Sequence, residues 1–183
     1  MQRITLLFSL LVVCLVTIAQ TQTTAPKPNP ELKKFHPWVG HWTYEADYKP
    51  GPLGPGGKAT AVYDGKMILG GFLYQGRWTE KSAAGETHGL EIDGYDPVNR
   101  TFPAEWFTDD GGRFSGAMNF NGNTLTWEGK CLIAGKQYVG RATFTLSSDL
   151  MSAPFKVEIS TDGTTWTLLE EGRYTKVKPA AKK

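Results

Sequence analysis

Cysteine is nearly missing from this chain, with two in 183 residues, Cys14 and Cys131, and histidine is held to three, His36, His41 and His88. Too few cysteines remain for a disulfide framework or a thiolate zinc cluster. Cys131 alternates with Leu125, Trp127 and Ile133 and has no activating histidine beside it, so it reads as a buried small hydrophobe rather than a nucleophile. The histidines are not joined by closely spaced Cys or carboxylate partners, which leaves no zinc or calcium pattern and no expected metal. Excess base is missing too. From His36 to Thr175 there are 12 Lys and Arg against 17 Asp and Glu, a balance of −5, whereas a nucleic-acid binder concentrates base on its folded face. Ser82, Ser115 and Ser152 lie in no G-x-S-x-G turn, so the elbow of a serine hydrolase is absent.

Long apolar runs are confined to the start of the chain. Arg3 precedes the uncharged stretch Ile4–Ala19, with small residues at Ala19 and Ala25. Its sixteen residues fall short of the roughly 20 that span a bilayer, so 1–19 reads as a secretory leader. Val13 is too large to precede Cys14 in a lipidation box. The expected product is therefore periplasmic or secreted, with no membrane contact after leader removal. Residues 20–30 (QTQTTAPKPNP) are polar and proline-rich and read as a disordered spacer, 31–177 as one β-barrel domain and 178–183 as a basic tail. Glu31–Phe35 suits one helical turn, which Pro37 should stop.

What the chain has in abundance is glycine (21), aromatics (six Trp, seven Tyr, nine Phe) and alternation. Turn signals recur at Pro50–Gly57, Asp64–Gly65, Ala83–Gly85, Asp96–Asn99, Asp109–Gly112, Asn121–Gly122, Ala134–Gly135, Ser147–Asp149 and Asp162–Gly163. Between them apolar residues repeat every second position: Phe72, Tyr74 and Trp78; Phe114, Met118 and Phe120; Tyr138, Ala142 and Phe144; Phe155, Val157 and Ile159; Trp166, Leu168 and Tyr174. This predicts about ten strands, near 39–48, 58–64, 67–79, 87–95, 100–108, 113–120, 124–133, 136–146, 154–160 and 165–176. Their connections are too short for crossover helices, so neighbours are antiparallel. Closing the meander into a barrel removes the two exposed edges, and interior glycines such as Gly76, Gly116, Gly129 and Gly140 permit its bends. A sandwich is the runner-up.

A barrel of about ten strands exceeds the eight whose side chains just fill the interior, so a cavity is expected. Tyr74, Trp106, Trp127, Tyr138 and Phe144 lie mid-strand on faces read as inward and are the candidate ligand-binding residues. Glu91, Asp93 and Glu105 each sit opposite apolar neighbours and read as the wet face. So do Arg77 and Arg141, although internal arginines could instead hold a ligand carboxylate. A slip of one residue would exchange these faces.

Gly40-His41-Trp42 opens the first strand and Gly172-Arg173-Tyr174 ends the last. This pair resembles the lipocalin and calycin signature, which implies that Trp42 plugs one end and Arg173 lies across it. With Trp38-Val-Gly-His-Trp42, Leu69-Gly-Gly-Phe-Leu73 and Gly94-Tyr-Asp-Pro97, the chain from about Leu32 to Val177 is similar to the secreted, lipocalin-like bacterial family of unknown function numbered 1579. That resemblance implies fold and compartment, and no activity. The nitrobindin-like haem barrels use a histidine near the C-terminus, which this chain lacks beyond His88, so no cofactor is expected. The reading that follows is an exported, non-enzymatic barrel binding a small apolar or aromatic molecule. A calycin-like enzyme and a ligand-free structural module are the alternatives, and the sequence leaves ligand, oligomeric state and register open.

Overall fold

The computed structural model describes residues 25–178 apart from residue 53, so the leader, much of the spacer and most of the basic tail lie outside the described residues. Ten strands follow one another: β1 (Gly40–Tyr48), β2 (Gly57–Ile68), β3 (Leu73–Ser82), β4 (Gly85–Asp93), β5 (Phe102–Thr108), β6 (Arg113–Asn121), β7 (Thr124–Ile133), β8 (Lys136–Thr145), β9 (Ser152–Ser160) and β10 (Thr167–Lys176). Each pairs antiparallel with its neighbour in sequence, and β1 pairs with β10 to close the barrel. With no free edge, every strand has a hydrogen-bonded neighbour on both sides.

Two departures from the expected strands matter for the interior. The Asp64–Gly65 turn does not form. β2 runs through it to Ile68, and the chain reverses at Leu69–Gly71. Gly65 is needed for close approach rather than for a turn: a Cβ there would lie 2.2 Å from the Tyr74 hydroxyl and 2.5 Å from the Trp38 carbonyl. The second departure is a bulge at Leu169, where the β9–β10 register shifts between Leu168 and Glu170. One extra residue reverses the alternation. Trp166 and Leu168 therefore leave the inward face of Tyr174 and Leu169 turns inward in their place, while Glu170, beyond the bulge, keeps the parity of Tyr174 and faces inward.

A 3-10 helix over Pro30–Trp38 plugs one end. Asn29 caps it by accepting from the Glu31 amide at 3.0 Å, and Pro37 sits within the helix rather than ending it before Trp38. Leu32, Phe35 and Trp38 point into the barrel and are buried. Phe35 stacks on Tyr74 with ring centroids 5.0 Å apart and meets Phe102 and Phe120 edge-on.

Trp42 is 1% exposed, packs against Trp38, and donates its indole N–H to the Trp38 carbonyl at 3.0 Å. The expected Trp42–Arg173 pair is not formed. Arg173 precedes the inward Tyr174 by one residue, so it faces solvent and reaches Ser152 Oγ at 3.4 Å. Lys176, two residues beyond Tyr174 and in register with Trp42, lies over the indole 5.0 Å from its centroid. Its Nζ donates to the Pro37 carbonyl at 2.7 Å, tying the helix to the last strand. A basic residue from β10 does cover the tryptophan, three residues later than expected.

Gly116 and Gly129 pair directly across β6 and β7. A Cβ at Gly116 would stand 2.2 Å from the Glu128 carbonyl oxygen and 2.7 Å from Gly129 Cα, both rigid backbone. Gly116→Ala is therefore expected to destabilise the barrel by about 1–3 kcal/mol, the usual cost of overpacking. A melting temperature equal to that of the parent protein would show that the strands can separate freely here.

Candidate functional site

The barrel interior holds a cavity of about 230 Å³. Its floor is Phe35 and Trp38 of the plugging helix. Its mouth lies at the other end, among Pro55–Gly57, Ser82–Ala84, Thr108–Gly112 and Ala134. Of the expected ligand-binding residues, Tyr74, Trp106, Trp127 and Phe144 line it. Tyr138 packs half-buried against the core, in register with the buried Cys131, and does not reach the cavity. Trp106 and Trp127 stack at 4.7 Å, and neither indole N–H has a hydrogen-bond partner. Small inward residues on β1 and β2, Ala46, Ala59 and Ala61, leave the space that neighbouring long side chains enter.

Those side chains are acidic and phenolic. Glu91 and Asp93 were expected on the wet face, yet they are 9% and 1% exposed. The apolar face of β4, Leu90 and Ile92, is the outer one and is half-buried. Alternation alone picks the apolar side as the inner face, whereas pairing overrules it: Glu91 is in register with both Gly76 and Trp106, and Trp106 faces inward. Gly76 is itself part of the arrangement, because a Cβ there would lie 2.2 Å from the Tyr63 hydroxyl and 2.5 Å from Glu91 Oε2. Its absence lets Tyr63 donate to Glu91 at 2.7 Å, while the Tyr63 and Tyr74 hydroxyls lie 2.8 Å apart and Tyr74 donates to the Trp38 carbonyl at 3.3 Å. Burial raises the pKa of Glu91. It raises that of Asp93 well above the usual carboxylate range, with the repulsion of Glu91 adding to it. Neither Asp93 oxygen has a partner, and the Trp106 N–H lies near both carboxyls without making a hydrogen bond.

A second cluster sits nearer the mouth, where β1 ends and β3 and β10 flank it. Tyr44 and Tyr48 both donate to Glu80 Oε2, Tyr48 at 3.0 Å. Glu170, opposite Tyr48 in the β1–β10 register, has a buried Oε2 with no partner. Its pKa is raised to about 8, first by burial and then by the repulsion of Glu80. Burial also raises the hydroxyl pKa values of Tyr44, Tyr48, Tyr63, Tyr74 and Tyr174. They act as neutral donors and not as bases. Sequence reasoning missed Glu80, Glu170, Tyr44, Tyr48 and Tyr63. The parity of Glu80 with Tyr74 and Trp78 on β3, and of Glu170 with Tyr174 on β10, was the available signal.

Apart from Lys49 at the rim, the basic and histidine side chains among the described residues stay out of the cavity. Arg141 pairs with Glu158 at 2.8 Å and lies 4.2 Å from the Trp166 ring centroid, and Arg77 is exposed. Glu105, on the outer face with Arg113, meets Ser115. His41 contacts Asp64 and His88 contacts Asp109, all at the surface. Cys131 is buried, and its thiol pKa is pushed up to about 12 by that burial, so it is a poor nucleophile.

Among solved structures the chain is similar to the crystal structure of Rv2717c from M. tuberculosis, with a TM-score of 0.61 and 11% identity over 83% of this chain and 100% of that one. Identity this low carries the barrel fold and nothing more. No curated protein matches the chain. A family model matches residues 27–176, from the spacer through the last strand, and by that match the chain belongs to the family described as Protein of unknown function (DUF1579).

Proposed function

We propose that this protein is an exported binding barrel that takes a small, predominantly aromatic molecule into its cavity. The observation that carries the reading is the cavity itself: about 230 Å³ of space walled by Trp78, Trp106, Trp127, Phe144, Phe155 and Tyr174. A cavity of about 150 Å³ takes up benzene, so scaling by volume gives an occupant of about nine non-hydrogen atoms. Aromatic walls exclude water from such a ligand and stack on its ring. The leader at 1–19 supports the exported part of the reading.

Tryptophan emission tests it. Saturable quenching or shifting is expected on titration with one-ring aromatic probes, and Trp127→Phe should reduce the response, because that indole lies in the wall and stacks on Trp106. A response that never saturates for any probe would leave a ligand-free structural module.

A second reading, a calycin-like enzyme, is favoured by one observation: Glu170 faces the cavity with a pKa raised to about 8, near that of an effective acid–base group at neutral pH. The two readings differ in whether bound probes are recovered unchanged.

A further inference from the structure

The cavity is aromatic in its walls but acidic in its polar groups, and the hydrogen-bond inventory of those acids is incomplete. At the mouth-side cluster two hydroxyl donors, Tyr44 and Tyr48, are both spent on Glu80 Oε2. A phenol has a single hydrogen to give. Glu170 Oε2, buried on the same cavity, receives none. Among the described residues the one basic side chain in the lining is Lys49, and its Nζ is engaged by Glu171 at 2.9 Å. The mouth-side cluster therefore has an acceptor without a donor, and no free cation faces it.

We propose that the occupant is an arylalkylamine, whose ammonium sits between Glu80 and Glu170 with its ring against Trp106, Trp127 and Phe144. This rests on the cavity being a binding site and adds the chemical class of the ligand. An ammonium brings three donors and a positive charge to a place that has unfilled acceptors and no cation. It satisfies Glu170 Oε2 without taking either hydroxyl from Glu80. The surrounding aromatic faces attract a cation rather than an anion, and more strongly where water is excluded. A ligand carboxylate would meet Glu80 and Glu170 as like charges. A divalent metal finds no seat, since among the described residues no group of three or more His, Cys, Asp or Glu side chains is placed to hold one. Glu91 is already engaged by Tyr63, and Asp93 lies behind it, outside the cavity lining, so the mouth-side pair is the site.

The groups facing Glu170 are Tyr44 and Tyr48 from β1, Glu80 from β3, Val157 from β9 and Tyr174 from its own strand, with Lys49 at the rim. None supplies a free positive charge, so the amine must displace the proton that Glu170 holds below about pH 8. Affinity then rises with pH, by up to about tenfold per unit between pH 6 and 8. It levels off above that, until the amine itself loses its proton near 10.

The test uses three probes of the same shape on the purified full chain: 2-phenylethylamine, 2-phenylethanol and phenylacetate, titrated by calorimetry at pH 8.5. The amine is expected to bind at least about tenfold more tightly than the alcohol, with no binding of phenylacetate. Glu170→Gln should remove that preference, by lowering the amine's affinity far more than the alcohol's. Circular dichroism of the variant checks that it folds, and removing an unpartnered carboxyl should not harm the barrel. Equal binding of amine and alcohol, or equal loss of both in Glu170→Gln, overturns the amine assignment while leaving a binding barrel. Failure of all three probes overturns both.

Discussion

Trp42→Ala should lower the stability of the barrel by about 3–5 kcal/mol, the range for deleting a buried large aromatic side chain. At about 2–4 °C per kcal/mol for a domain of this size, the melting temperature falls by roughly 6–20 °C. The indole joins the helix to both ends of the sheet. It packs on Trp38, donates to the Trp38 carbonyl, and carries Lys176 of β10 over its face. Lys176→Ala removes only the cation and its bond to Pro37, so a smaller loss of about 0.5–2 kcal/mol is expected. Arg173→Ala, on the outer face, should change little. A large effect at Arg173 and none at Lys176 would mean that the barrel closes in another way.

The second large effect is on pH dependence, and its sign is unusual. A carboxyl whose pKa is raised in the folded state holds its proton more tightly there than in the unfolded chain, so its contribution is fully present below the unfolded value and is lost as pH rises through the folded one. For Glu170 that window runs from 4.5 to about 8. The loss across it is on the order of a few kcal/mol at about 1.36 kcal/mol per unit. Glu91 and Asp93, also raised by burial, act in the same direction. Surface carboxylates act oppositely. Asp96, Asp109 and Asp162 are held low by backbone and side-chain hydrogen bonds, so their contribution fades only in stronger acid. The empty barrel should therefore be most stable near pH 5 and melt roughly 10 °C lower at pH 8.5. Glu170→Gln should flatten the alkaline limb and melt above the parent protein at pH 8.5. Thermal melts across pH 4–9 on both proteins decide this, and parallel curves would show that Glu170 is not a buried titrating group.

Local rules read much of this protein correctly. Period-two alternation, short turns and the absence of any sustained helical period point to an antiparallel meander, and a meander of ten strands has one way to hide both edges. The aromatics Tyr74, Trp106, Trp127 and Phe144 fall on the cavity wall, because large apolar side chains seldom tolerate the wet face of a strand. Alternation also kept Arg77 and Arg141 outside. The same rule failed where both faces of a strand are partly enclosed. On β4 the more apolar face, Leu90 and Ile92, is the outer one, and Glu91 and Asp93 go inward because their strand is locked in register with Gly76 and Trp106.

Register is a property of pairs of strands, and one sequence contains only single strands. The bulge at Leu169 makes the same point for Trp166 and Leu168: one unpaired residue exchanges the faces of everything before it, and nothing in the composition of β10 announces where that residue falls. The Lys176–Trp42 contact and the tyrosine–carboxyl clusters join residues 28 to 134 positions apart in the chain. The sequence determined what kind of surface each strand carries. Closure of the barrel decided which surfaces meet, since only a fixed register brings four carboxyls and five phenols into one enclosed space.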